Sequence, residues 1–217
     1  MYTLYWHPYA SSLAPMAVLE EVGVPFELHR VDSEGGECDS AEYRRIQPLG
    51  LIPALRLADG SSMFEASAIV QYLSDRHGPG KLAPSVEDPD RARYLQWMHY
   101  MAGTVYPTYN RYYWPPEYSA HADGITTLRE HLGTIVLEQW QVIEDALQKE
   151  GPWMLGQRFS ACDIYLQMMT TWHTTAAELL QTFSCVRELT KGVLAREACQ
   201  RAIHRHGFAT GFGADIE

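Results

Sequence analysis

A change of hydrophobic period divides this chain and limits the folds open to it. Up to His77, short strand-like and helix-like runs alternate, whereas from Arg91 onward the apolar residues repeat only at helical spacing. Between the two lies a stretch from Gly78 to Pro89 where the composition shifts to Gly and Pro, with Asp88 near its end, and in which Pro79, Pro84 and Pro89 block regular structure. Tyr2 to Trp6 reads as a strand, Leu13 to Val22 as a helix stopped by Gly23 and Pro25, and Phe26 to Val31 as a second strand. A second helical stretch follows near Ala41 to Ile46. Ala54 to Leu57 and Ser62 to Phe64 then flank Asp59-Gly60, a strong hairpin dipeptide, and lead into a helix with Ala68, Ile69, Tyr72 and Leu73 on one face. The order βαβαββα predicts an α/β domain over residues 1–78, a linker over 79–90 and an all-helical domain over 91–217.

In the helical part, Leu95, Met98, Ala102 and Val105 form one apolar stripe, as do Leu128, Leu132, Ile135 and Ile143, and Ile164, Tyr165, Met168 and Trp172. These are read as core. Ser160-Ala161-Cys162-Asp163 is an aspartate version of the capping box, with Phe159 and Ile164 placed as a hydrophobic staple.

Composition excludes several classes of function. With 46% hydrophobic and 20% charged residues, the chain is too apolar for disorder. No segment approaches the roughly 18 uninterrupted apolar residues of a membrane span, and no basic stretch with an apolar core marks a signal peptide, so a cytoplasmic protein without membrane partners is expected. The net charge of −10, from 27 acids against 17 bases, repels nucleic acid on average. Cys38, Cys162, Cys185 and Cys199 show no CxxC spacing and read as reduced thiols. His204 and His206 lack a third ligand at a recognisable spacing; they are read as surface histidines, and no metal is expected.

Two stretches carry candidate chemistry. Proline lacks an amide hydrogen and gives cheap access to a cis bond, so Ile52-Pro53 can turn sharply and leave the polar groups of Ile52 unpaired for an extended peptide. Glu65 stands where the next helix begins: its carboxylate suits an ammonium, and the first amides of the helix suit a carboxylate. An amino-acid headgroup carries both charges. The second stretch is His7-Pro8-Tyr9-Ala10-Ser11-Ser12-Leu13-Ala14-Pro15. Ser11 or Ser12 can cap the incoming helix, and a hydroxyl there can also donate to a sulfur anion beside a positive helix end.

The segment from Gly50 to Leu73 resembles the glutathione-binding half of cytosolic glutathione transferases, whose pattern is a hydrophobic residue, cis-Pro and, later, Glu/Gln-Ser before a helix. This chain has Glu65-Ala66-Ser67, so the hydroxyl usual at the second position is missing at Ala66 while its amide remains. The loop is similar to the Pro-Gly-Ala-Cys-Ser-Leu stretch of bacterial beta-class transferases, with Tyr9 in place of Gly and Ser11 in place of Cys; serine there is also similar to the serine-type classes. The Ser-x-x-Asp box occurs in the family at a buried helix of the C-terminal domain.

The resemblance implies a thioredoxin-like N-terminal domain, an all-α C-terminal domain and a homodimer. It places glutathione, as co-substrate, along Ile52 and Pro53, its γ-glutamyl end at Glu65, Ala66 and Ser67, and its sulfur near Ser11. Ser12, Tyr5 and Tyr9 are the other candidates for activating the thiol. Tyr106, Tyr109, Tyr112, Tyr113 and Trp114 crowd one helix end before Pro115-Pro116. Of the tyrosines, Tyr106, Tyr109 and Tyr113, together with Tyr9, are candidates for holding a flat or apolar electrophile; packing against the C-terminal segment explains the crowd equally well. Trp172 and His173 pose the same choice. The activity implied is thiolate attack on an electrophilic small molecule. Glutathione-dependent isomerisation, dehalogenation or ether cleavage, and a non-catalytic binding role, are the alternatives; serine at position 11 argues against a disulfide-exchange reductase.

Overall fold

Strand β1 (Tyr2–Trp6) organises the sheet of the computed structural model, which describes residues 1–172 and 176–207. It pairs in parallel with β2 (Phe26–Arg30) and antiparallel with β3 (Ala54–Arg56), which in turn pairs antiparallel with β4 (Ser62–Phe64), giving the order β2-β1-β3-β4. A parallel neighbour needs a crossover. Helix α1 (Leu13–Val22) supplies it and ends on Gly23, whose φ of 67° suits the left-handed cap. The β3–β4 hairpin closes on Asp59-Gly60, where Asp59 Oδ1 accepts from the Ser61 amide at 2.9 Å. Helix α2 (Ala66–His77) follows at once.

The stretch predicted as a second helix near Ala41 to Ile46 is instead a single 3-10 turn, Tyr43–Arg45. Pro48 disfavours helical backbone at Gln47, so the turn cannot lengthen. It serves the core nonetheless. Tyr5, Val31, Tyr43, Ile46 and Ala54 form a small cluster on one face of the sheet, while Tyr2, Leu4 and Leu55 join the main core with α1 and α2 on the other. This alternation is the period-2 geometry of a strand buried on both faces.

From residue 91 every described element is helical. Helix α3 (Arg91–Tyr100) runs through a π-helical turn (Met101–Val105) into α4 (Tyr106–Tyr113); then come α5 (Ile125–Glu150), α6 (Ala161–Thr170), α7 (Ala176–Thr182), α8 (Ser184–Leu194) and α9 (Glu197–Arg205). Pro107 has no amide hydrogen to bond the carbonyl four residues back, and the wide turn sits where that bond is lost. On α5 the buried stripe is Leu132, Val136, Trp140, Ile143 and Leu147, with Leu128 and Ile135 only half-buried. The chain is thus a thioredoxin-like α/β unit followed by an all-helical one, and α1, buried from Leu13 to Leu19, packs against α2, α6 and α9.

The capping box forms as its spacing predicts. Asp163 Oδ2 accepts from the Ser160 amide at 2.7 Å, Ser160 caps α6, and Asp163 Oδ1 also accepts from the Met154 amide at 2.8 Å. The proline-rich stretch is tied down on both sides, by Arg91 on Asp75 at 2.6 and 2.8 Å and by Arg158 on Asp88 at 2.7 Å. Among the described residues, no helix is long and apolar enough to cross a membrane.

Candidate active site

The approach to Pro53 is held from behind. The buried amide side chain of Gln47 accepts from the Leu49 and Leu51 amides at 2.7 and 3.0 Å, and the Tyr43 hydroxyl donates to the Leu51 carbonyl at 2.7 Å. Gly50 has a φ of +69°, and a Cβ there would fall 2.5 Å from the Cys38 carbonyl oxygen, so only glycine fits. The Ile52–Pro53 bond is cis. The ladder between β1 and β3 ends at the pair Tyr5 and Ala54, which leaves Ile52 just beyond the sheet. The proline turn does not leave the Ile52 carbonyl unpaired: Ser11 Oγ donates to it at 3.4 Å.

Neither serine of the loop caps α1 with its side chain. Ser12, fully buried, turns back instead: Oγ donates to the His7 carbonyl at 3.2 Å and meets His206 Nε2 at 2.8 Å. Ser11, 4% exposed, accepts from the Tyr106 hydroxyl at 3.1 Å. Burial pushes the Tyr106 phenol above its ordinary range and the hydrogen bond to Ser11 opposes that, so at neutral pH Tyr106 is a protonated donor.

These groups open onto a cleft of about 590 Å³ between the sheet end and the helical part. One wall carries Ser11, Ile52, Pro53, Glu65, Ala66 and Ser67; the other carries Ala102, Tyr106, Asn110, Trp114, Glu117 and Tyr118, with Tyr165 and Gln47 also lining the space. Glu65 adopts φ 72° and ψ 110°, a conformation rare outside glycine, immediately before the first residue of α2. The cleft therefore meets a carboxylate and the amide end of a helix side by side.

The other named candidates lie elsewhere. Tyr9 is exposed, outside the cleft, and its amide donates to His206 Nδ1 at 3.2 Å. Tyr109 is buried in the helical core, where its hydroxyl accepts from Trp140 Nε1 at 2.7 Å, and Tyr113 stacks on it and donates to the Trp172 carbonyl. Tyr5 packs against Tyr43 in the small core cluster, and burial raises its phenol. Trp172 packs edge-on against Tyr106. His173 lies outside the described residues.

A further reading is overturned. His206 is not a surface histidine: it is fully buried against Ser12, the Tyr9 amide and the Trp6 ring. Burial, and to a lesser degree His7, push its pKa down to about 4. Gln47, Asn110, Glu117, Tyr118 and Tyr165 were not anticipated. A signal for part of this set is Pro115-Pro116, which starts the 3-10 turn Pro115–Glu117 and places Trp114 and Tyr118 at the cleft. Among the described residues, no group of three or more His, Cys, Asp or Glu is arranged to hold a metal ion.

Residues 12–76 match the family model described as Glutathione S-transferase, N-terminal domain. Over 94% of this chain and 98% of its own length, Glutathione S-transferase GstA of Escherichia coli O157:H7 is 28% identical. A crystal structure of a glutathione transferase from Methylococcus capsulatus superimposes with a TM-score of 0.79 at 29% identity, covering 96% of this chain and 100% of that one. A glutathione transferase homologue from Sulfitobacter, solved with bound glutathione, shares the fold with a TM-score of 0.83 at 24% identity, over 94% of this chain and 98% of that one.

Proposed function

The chain is a member of the glutathione S-transferase family, and from that premise we propose that its cleft binds glutathione and activates the thiol for attack on an electrophilic small molecule. The observation that carries this reading is the convergence of Ser11, Ile52, Glu65 and Tyr106 on one cleft.

The γ-glutamyl and cysteinyl parts of the tripeptide each have a chemical match. Glu65 suits the ammonium of the γ-glutamyl group, and the Ala66 and Ser67 amides with the Ser67 hydroxyl suit its carboxylate. Ile52 offers main chain beyond the end of the sheet to the cysteinyl residue. The sulfur then lies near Ser11. There the Ser11 hydrogen, engaged only at 3.4 Å with the Ile52 carbonyl, turns to the sulfur as the thiol releases its proton to water, while Tyr106 keeps donating to Ser11 Oγ. Each unit of thiol pKa depression needs about 1.36 kcal/mol of preferential thiolate stabilisation, within the reach of one charge-assisted hydrogen bond.

The thiolate attacks the electrophilic carbon, a C–S bond forms, and the leaving group departs with its bonding pair. Tyr106, Trp114 and Tyr118 present aromatic surface to the second substrate. The protein contributes proximity and anion stabilisation, and the scheme uses no metal. The proposal extends to a cytoplasmic homodimer, with division into a glutathione-binding unit over 1–78, a linker over 79–90 and a substrate-side unit over 91–217.

Calorimetry with glutathione, followed by turnover with an activated chloronitroarene, tests the reading. Saturable binding with stoichiometric thioether and chloride release supports it. Absence of glutathione binding at millimolar concentration would leave a scaffold without this chemistry.

A further inference from the structure

We propose that His206, close to the C-terminal end of the described chain, is a positioning residue for Ser11, an inference that rests on the thiol-activating role given to that serine. The hydrogen bonds define its form. The Tyr9 N–H donates to Nδ1 at 3.2 Å, so Nδ1 bears the lone pair and Nε2 bears the proton. Nε2–H therefore donates to Ser12 Oγ at 2.8 Å, and Ser12 passes its own hydrogen to the His7 carbonyl at 3.2 Å. One neutral imidazole thus holds residues 9 and 12, and Ser11 lies between them.

Two further features make this a device of the loop rather than a chance contact. Tyr9 has a φ of 62°, a backbone state that side chains other than glycine seldom adopt and that persists where surrounding bonds over-determine it. The N–H that donates to His206 Nδ1 belongs to that same residue. In addition, α9 is strapped to α1, the helix into which Ser11 leads: Arg196 pairs with Glu21 at 2.6 and 2.8 Å, and Arg201 with Glu20 at 2.7 Å. The end of the helical part thereby fixes the position of Ser11 Oγ between the Ile52 carbonyl and the Tyr106 hydroxyl, from which its hydrogen can turn to the sulfur.

The bound thiol reads out this role. His206→Ala, His206→Gln and Ser11→Ala are titrated with saturating glutathione by thiolate absorbance, alongside kcat and KM with a chloronitroarene. Positioning predicts that His206→Ala raises the bound-thiol pKa by about one unit, a tenfold loss of thiolate at fixed pH well below that pKa, with KM for glutathione changed less than twofold. His206→Gln, whose amide carries an acceptor and a donor side by side, restores most of the depression. In a Ser11→Ala background, His206→Ala has no further effect on the thiol. A folded His206→Ala protein with an unchanged thiol pKa, or an equal shift in the Ser11→Ala background, overturns the proposal. If His206→Ala does not fold, Ser12→Ala removes the partner of Nε2 and carries the same expectation; an unshifted thiol there also overturns it. A wild-type protein that fails to bind glutathione or to depress its thiol pKa overturns the functional reading instead, and this inference with it.

Discussion

The Tyr106 hydroxyl donates to Ser11 Oγ across 3.1 Å, joining the helical part of the chain to the loop ahead of α1. A hydroxyl that accepts one hydrogen bond becomes a better donor of another, so Tyr106 strengthens whatever bond Ser11 makes to sulfur. Tyr106→Phe is expected to raise the bound-thiol pKa by about half a unit to one unit and to lower kcat several-fold at neutral pH. Thiolate titration checks this. If Tyr106 acts only on the second substrate, the substitution changes KM for the electrophile and leaves the thiol where it was.

Glu65 faces the cleft from a strained position just before α2. Glu65→Gln removes the charge that matches the γ-glutamyl ammonium while keeping the shape. Losing one hydrogen bond to a charged group costs about 1.5–3 kcal/mol, so Kd for glutathione should rise roughly tenfold to a hundredfold. Calorimetry with a deaminated glutathione analogue provides the control: its affinity should be insensitive to the substitution.

Stability should depend on the capping box without reference to the cleft. Asp163→Ala leaves the buried Met154 and Ser160 amides without their acceptors. The expected loss is about 2–5 kcal/mol, or roughly 10 °C in Tm for a chain of this size, with activity per folded molecule unchanged at low temperature. Ser160→Ala, which removes the N-cap side chain, should cost about 1 kcal/mol. Thermal unfolding followed by circular dichroism distinguishes the two.

His206 also predicts a pH dependence. Its pKa falls from an ordinary 6.5 to about 4 on folding. Between those values the unfolded chain binds more protons than the native one, so stability rises with pH through that window and is lost as pH falls through it. His206 should account for about 2 kcal/mol lost between pH 7 and pH 4.5. Urea unfolding of the wild type and His206→Gln at the two pH values checks the sign, because only the wild type carries this contribution. Equal losses in both proteins would contradict it.

Local order was legible wherever local chemistry decides. The helix from Leu13 to Val22, the strand from Tyr2 to Trp6 and the Ser160–Asp163 box are set by spacing and capping residues, and they form at the predicted positions. The Asp59-Gly60 hairpin and the Ile52-Pro53 turn are read from residues with few conformations to choose from. Contacts between distant segments were not legible. His206 meets Ser12 across 194 positions, and nothing in His204-Arg205-His206 separates a buried ring from an exposed one. The π turn before Tyr106 escaped because its apolar spacing over a few residues passes for ordinary helix. For the tyrosines, the crowd from Tyr106 to Tyr113 was visible, but which face each would take depends on α5: Trp140 draws Tyr109 into the core, while Tyr106 reaches Ser11.

Titration of the thiol of bound glutathione in the wild type and in Ser11→Ala tests the central claim most directly. The account predicts a wild-type thiol pKa below that of free glutathione and a rise of one to two units on removing the Ser11 hydroxyl, matching the reach of one charge-assisted hydrogen bond at about 1.36 kcal/mol per unit. An identical thiol pKa in the two proteins would contradict it.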